Sequence, residues 1–196
     1  MVDSGCFASM KKSYYESLVK LIQDRGMLCE FNKVSLVSDL IEHCGGVYYT
    51  DGLKSLKTIP DQSVDFIWSQ AVLEHIRLYE FDETMHELRR VVRADGICSH
   101  RVDLKDHLGG SANNLRFGRH IWESDWIASS GFYTNRLRFM EMMAKFKGAG
   151  FDIHVINKVK WQDVPISKKK LALEFREMTN ANLLISGFDV ILKPSD

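Results

Sequence analysis

The run Val64-Asp65-Phe66-Ile67-Trp68 constrains this chain more than any other five residues. It is almost continuously apolar, and a short run of that kind suits a strand covered on both faces, as in parallel sheets. A helix follows, with Phe81, Met85, Leu88 and Val91 on one side and Glu83, Glu87 and Arg90 on the other. Asp95-Gly96 ends that helix and launches a second strand, Ile97 to Val102. Strand, helix, strand in this order indicates an α/β sheet, whose ligands sit beyond the carboxyl ends of the parallel strands.

The flanking sequence extends the pattern. Met10 to Arg25 reads as a helix with Tyr14, Leu18, Leu21 and Ile22 on one face and Gly26 as its stop. A second helix starts at Ser35 as N-cap, runs through Leu36, Val37, Leu40 and Ile41, and stops at Gly45-Gly46. Val47 to Thr50 reads as a strand closed by Asp51-Gly52, and Ile59-Pro60-Asp61 marks a turn. Asp103 to Asn135 is long and irregular; such loops are functional or contain small helices of their own. Beyond it come a helix over about Arg136–Lys147, with Phe139, Met143 and Phe146 inward, and two alternating strands, Phe151 to Trp161 and Leu183 to Lys193. The expectation is one α/β domain over 1–196, mostly parallel with an antiparallel C-terminal strand pair, carrying 103–135 as a substrate-side loop or lid.

Charge and cysteine content narrow the partners. Lysine plus arginine equals aspartate plus glutamate at 26 each, which argues against a nucleic-acid binder with a strongly basic face. Lys168-Lys169-Lys170 is a short basic run that reads as a solvated loop, contact with an anionic substrate being the alternative. No apolar run reaches membrane-span length and the first residues lack signal-peptide order, so the expected location is cytoplasmic with no membrane partner. Cys6, Cys29, Cys44 and Cys98 form no C-x-x-C pair and read as reduced thiols, Cys98 as a small hydrophobe inside a strand.

The segments at the strand ends carry a resemblance. Ile59-Pro-Asp-Gln-Ser-Val-Asp-Phe-Ile-Trp-Ser-Gln-Ala-Val-Leu-Glu-His-Ile76 closely resembles the fourth-strand region of class I S-adenosylmethionine-dependent methyltransferases. Arg89-Arg90-Val91-Val92-Arg93-Ala94-Asp95-Gly96-Ile97 resembles that family's passage into its fifth strand. The resemblance runs from about Val47 to the C-terminus and implies a Rossmann-like sheet. The family's opening strand and glycine-rich turn have no counterpart before Asp51. The expectation is therefore an N-terminally truncated sheet lacking its first strand, with Met1 to Gly5 resembling the end of the second.

The resemblance implies S-adenosylmethionine as cofactor, with Asp3 on the ribose, Asp51 and the Gly52 backbone at the adenine, and Ser69 and Gln70 at the methionine end. Read without it, Asp51-Gly52 is a solvated turn and Ser69-Gln70 a helix cap. His75 is the candidate general base near the transferred methyl, since its pKa permits proton uptake near neutrality. His100, Asp103, His107 and Arg136 form the candidate substrate-facing group, Arg136 and Arg138 suiting a carboxylate or phosphate. His and carboxylate are also metal-ligand types, but no metal is assigned, and bonds that pin the long loop are the plainer role. Trp122 and Trp126, four apart, read as the apolar face of a lid. The segments His100–His107 and Asn135–Arg138 further resemble a subgroup acting on small molecules or glycans. The alternative is a non-catalytic methyltransferase-like domain serving as a binding or assembly module, its exposed sheet edge favouring a homodimer.

Overall fold

The computed structural model describes residues 1–3, 12–26, 41 and 45–195. The chain divides into two compact units, Met1–Thr58 and Ile59–Asp196. The larger is built on a mixed sheet of β1 (Val64–Gln70), β2 (Val92–Asp103), β3 (Phe151–Lys160) and β4 (Ile185–Pro194), in the order β1-β2-β4-β3. β1 and β2 are parallel; β4 runs antiparallel to β2 and to β3. The α/β architecture with an antiparallel C-terminal pair is thus present, in a Rossmann-like mixed sheet.

In the smaller unit α1 (Lys12–Asp24) ends where expected, with Gly26 at φ +76° donating to the Gln23 carbonyl at 2.9 Å. Val19 is buried while Leu21, expected on the apolar face, is 50% exposed. The side chains of Tyr14, Leu18 and Ile22, the second helix between Ser35 and Leu40, and Cys6, Cys29 and Cys44 lie outside the described residues. Gly45 has φ +70°, and Gly46 N–H donates to the Ile41 carbonyl at 2.7 Å. Val47 to Thr50 contributes one parallel bridge, Val2↔Tyr49, in place of a full strand, and the short helix α2 (Gly52–Leu56) follows. None of the described helices is long and apolar enough to cross a membrane.

The crossover between β1 and β2 is α3 (Phe81–Val91), which buries Phe81, Met85, Leu88 and Val91 and turns its charges outward, as the spacing predicts. Each such side chain taken from water contributes about 1.5–3 kcal/mol. The long connection after β2 carries the short helices α4 (Arg119–Trp122) and α5 (Asp125–Ala128). α6 (Phe139–Gly148) packs beside α3, with the Phe81 and Phe146 rings 6.4 Å apart and Lys145 Nζ 2.7 Å from the Asp82 carboxylate. Met142 joins Phe139 and Phe146 in burial while Met143 is half-buried, and the helix begins three residues later than the sequence suggests. α7 (Asn180–Leu183) takes up Leu183 before β4 begins.

Two strand expectations need correction. Among the described residues β1 has a neighbouring strand on one side only, and Phe66 and Trp68 are 59% and 63% exposed instead of covered on both faces. Asp95-Gly96 does not separate helix from strand. β2 starts at Val92, directly after the helix, and the register jumps from Val64↔Val92 to Phe66↔Ile97, so the pair is a bulge within the strand. A Cβ on Gly96 would meet Val92 Cγ2 at 2.7 Å and the Asp65 carbonyl at 3.0 Å, which is why glycine stands there.

Arg138 ties the exit of β2 to the entry of β4. Its guanidinium is buried and donates to the carbonyls of Leu104 (2.7 Å), Leu183 (3.4 Å) and Ile185. Arg138→Ala leaves these carbonyls without donors, at about 1–3 kcal/mol per orphaned group. We expect a loss of about 3 kcal/mol or more in urea unfolding; a loss below about 1 kcal/mol would remove the clamp from the stability account.

Candidate active site

β1 ends at Gln70, and Ala71 takes a left-handed backbone (φ +52°), its N–H donating to the Arg101 carbonyl at 2.9 Å. This bend turns the chain into a single 3₁₀ turn, Leu73–His75, lying across the carboxyl end of β2. Asn135 staples the turn from outside. Its Nδ2 donates to the carbonyls of Leu73 (2.8 Å) and Ile76 (3.0 Å), and its backbone N–H donates to the Glu74 carbonyl (2.7 Å).

The staple fixes Glu74 and His75 in different surroundings. Glu74 is 3% exposed; one carboxyl oxygen accepts from Asp103 N–H at 3.1 Å and the other is buried without a partner. Burial pushes this carboxyl up to about 7, the neighbouring Asp103 charge adding to the effect and backbone N–H bonds opposing it. His75 is exposed, but its Nδ1 edge turns inward to the Tyr133 carbonyl at 3.0 Å. A carbonyl only accepts, so Nδ1 carries the proton and the neutral ring presents Nε2 as a base. Loss of water around the ring lowers its pKa, the Tyr133 bond opposes this, and nearby His107 lowers it further. The His75 and His107 rings are 5.0 Å apart, and His107 Nδ1 meets the Gly131 carbonyl at 3.3 Å. Asp103 closes the group, its carboxylate held by Lys105 N–H at 2.9 Å.

The predicted substrate-facing residues separate. Asp103 and His107 join His75. His100 does not: three residues before Asp103 on one strand, it faces the opposite side of the sheet. There it is 2% exposed, with Nδ1 2.7 Å from Ser69 Oγ and Nε2 unpartnered, and burial drives its pKa down to about 4. Ser69 and Gln70 belong to the strand and do not cap a helix. Arg136, at φ +61°, is buried and spends its guanidinium on the carbonyls of Phe117 (2.5 Å) and Asn114 (3.4 Å), with Glu174 3.8 Å away. The tryptophan pair splits: Trp122 is buried and donates to the Thr134 carbonyl at 2.7 Å, whereas Trp126 is 76% exposed. Among the described residues no three His, Cys, Asp or Glu side chains lie together as a metal site. Glu74 is the member of the group that the sequence does not single out; its only signal is an acidic side chain beside His75 just after a strand.

In the smaller unit, Asp3, Asp51 and Gly52 come together. The Asp3 carbonyl accepts from Gly52 N–H at 2.8 Å, and Tyr48 Oη lies 3.2 Å from the Asp3 carboxylate. Gly52 has φ +48°, and the Asp51 carboxylate is turned to solvent, with Lys54 Nζ 3.8 Å away.

Residues 21–99 match the family model of the methyltransferase domain. No curated protein matches the sequence. Among solved structures, an arsenic(III) S-adenosylmethionine methyltransferase from Chlamydomonas reinhardtii superposes with a TM-score of 0.51 at 11% identity, covering 100% of this chain and 54% of that one. This is a class I methyltransferase fold. The YcgJ protein of Bacillus subtilis (TM-score 0.49, 14% identity, 100% and 81% covered) is also similar. So is a methyltransferase solved with the Haloferax volcanii Trm112 methyltransferase activator (0.47, 14%, 100% and 81%). In the frame of the methyltransferase fold, the group formed by Glu74, His75, Asp103 and His107 stands at the carboxyl ends of two parallel strands, where such sheets place their ligands.

The shifted groups make the site readable in stability. Glu74 has a folded pKa above the ordinary 4.5, so the folded state holds the extra proton between those values. Its contribution is complete below about pH 4.5 and is lost as pH rises through about 7. His100, lowered from 6.5 to about 4, runs the other way: its contribution is present above 6.5 and lost as pH falls through about 4. The two slopes oppose each other where the windows overlap. Glu74→Gln removes one of them and is expected to stabilise the protein by about 3 kcal/mol at pH 8, since each tenfold change in proton affinity is worth about 1.4 kcal/mol. At pH 4.5 the gain should vanish. A gain independent of pH in urea melts would contradict the assignment of a buried, neutral carboxyl.

Proposed function

We propose that the protein is a methyltransferase that uses S-adenosylmethionine, the cofactor its fold family implies, on a hydroxyl-bearing small-molecule or glycan acceptor. One observation carries the reading: the Tyr133 carbonyl fixes the His75 tautomer, leaving Nε2 as an accessible neutral base at the strand ends. The cofactor, when bound, supplies a methyl group on a sulfonium. Displacement there needs an aligned nucleophile and, for a hydroxyl, removal of its proton. His75 takes that proton, and Asp103 and His107 orient the acceptor. His100 and Arg136, placed with the substrate group on sequence grounds, act from behind the site as positioning residues.

The donor chemistry in the smaller unit fits a nucleoside. The carboxylates of Asp3 and Asp51 suit ribose hydroxyls and an exocyclic amine, both of them donors, and the absent Cβ of Gly52 permits close approach of a ring. Ser69 and Gln70 are the candidates for the methionine end. Cys98 is a buried free thiol, in keeping with a cytoplasmic location.

Titration calorimetry with S-adenosylhomocysteine tests the cofactor half: Asp51→Ala should weaken binding several-fold, and absence of any binding to the parent protein would remove the enzymatic reading. His75→Gln should leave that affinity unchanged while lowering methyl transfer from labelled cofactor by about a hundredfold or more, the usual worth of a general base. Equal turnover in the parent and the variant would take the base away from His75.

A second reading, an assembly module, is favoured by the outer edge of β1, which pairs with no strand among the described residues. Pairing two copies of β1 antiparallel about Ile67 sets each Phe66 against a Trp68 and each Asp65 against a Ser69, so that aromatic pairs form and no like charges face each other. This reading expects a dimer in light scattering that Trp68→Lys converts to monomer; a parent protein that is monomeric at micromolar concentration excludes it.

A further inference from the structure

Six cationic or titratable side chains that are scattered along the sequence, Arg116, Arg119, His120, Lys169, Lys170 and Arg176, line one groove of about 820 Å³ in the larger unit. We propose that this groove is a binding site for a small molecule carrying two or more adjacent phosphates. The site is separate from the proposed transfer chemistry and does not rest on it.

Charge is segregated here in a chain whose formal total is zero. Several cations elsewhere have partners: Arg90 with Asp61 and Glu87, Arg101 with Asp189, Lys145 with Asp82. Among the described residues, none of the five lysines and arginines of the groove has a carboxylate within ion-pair distance. The one acid in its lining, Glu174, faces the buried Arg136 guanidinium 3.8 Å away. Crowding like charges without counter-ions costs free energy, and an anionic ligand removes that cost.

The groove is also built rather than incidental. Its walls are the segments Asn113–Arg116 with Arg119–Trp122 and Lys168–Lys170 with Leu173–Phe175. The Ala172 N–H donates to the Leu115 carbonyl at 2.9 Å and ties the walls together. Beneath them Leu115, Leu171 and Phe175 belong to one buried apolar cluster, and each is the sequence neighbour of a groove cation: Arg116, Lys170 and Arg176. Arg176 is further held by its Nε–H bond to the Leu171 carbonyl at 3.1 Å. Cations carried on anchored backbone lose less entropy on binding than cations on free loops. Guanidinium forks beside ammonium point charges match a diphosphate, the first bidentate and the second directionless.

Size favours a small ligand over a polymer. The volume falls within the usual range of small-molecule sites, about 300–1,000 Å³, and the zero net charge supplies no long-range field for a nucleic-acid backbone.

The test is calorimetric titration of the full chain with inorganic pyrophosphate, with a nucleoside diphosphate, and with a single-stranded oligonucleotide. Pyrophosphate is expected to bind, and Arg119→Glu and Lys169→Glu/Lys170→Glu each to weaken it at least roughly tenfold, while Lys160→Glu on β3 leaves it unchanged. Tighter binding of the nucleoside diphosphate than of pyrophosphate marks a nucleotide-linked ligand; equal affinity marks the phosphates alone. No pyrophosphate binding, equal weakening by Lys160→Glu, or preferred binding of the oligonucleotide overturns the proposal.

Discussion

The larger unit depends on the six buried residues Tyr133 to Arg138, a stretch without regular secondary structure in which every side chain is shielded from water. Irregular backbone is costly to bury because its polar groups have no ladder. Here polar side chains take the place of one. Tyr133 Oη accepts from Leu78 N–H at 2.9 Å and donates to Glu123; Thr134 bonds Asn114 through its hydroxyl and Trp122 through its carbonyl. Asn135 staples the Leu73–His75 turn, Arg136 fills the carbonyls of the loop above, and Arg138 gathers β2 and β4. The left-handed Arg136, whose conformation costs of order 1 kcal/mol for a residue with a Cβ, persists because the bonds on either side over-determine it. Neither the path of the 103–135 loop nor the orientation of the candidate site is independent of this stretch.

The same stretch explains why two adjacent residues of one short turn differ in proton affinity. Glu74 points into the protein beside Asp103, and one of its oxygens finds no donor, so the neutral acid is favoured. Asp103, better solvated, retains its contact with Lys105. At His75 loss of water lowers the proton affinity, while the Tyr133 carbonyl and the Asp103 charge oppose that effect.

Periodicity makes the strand–helix–strand core and the antiparallel closing pair legible: α3 buries what its spacing says it should and β4 buries Phe188, Val190 and Leu192, whereas β3 buries only Phe151 and leaves Ile156 and Val159 exposed. The apolar run of β1 misleads for the same reason that it stands out. Continuous hydrophobicity records a strand suited to cover on both faces, but it does not show that cover is supplied, and Phe66 and Trp68 are largely exposed. Asp95-Gly96 signals a turn in sequence, yet a bulge uses the same residues inside a strand. At the site, His75, Asp103 and His107 are legible from their positions at strand ends. His100 is not, since a separation of three in a strand reverses the face. Arg136 and Arg138 carry the composition of surface residues, and only the unpaired carbonyls around them, invisible in sequence, make burial favourable.

Net charge illustrates the limit most clearly. A formal sum of zero is an average over the whole chain and places no bound on local potential. On the sheet Arg101 is neutralised by Asp189 across the β2–β4 ladder. Among the described residues the groove cations lack such pairing, although Glu123, Asp125 and Glu174 lie in or beside the segments that form its walls. Glu123 faces Tyr133, Asp125 approaches Arg77, and Glu174 approaches Arg136. Each of these acids is thus drawn toward the buried stretch or its surroundings, and none is left beside the groove cations among the described residues. The positive charge there follows from how these segments satisfy their interior, which links the packing of irregular backbone to the kind of ligand its surface can hold.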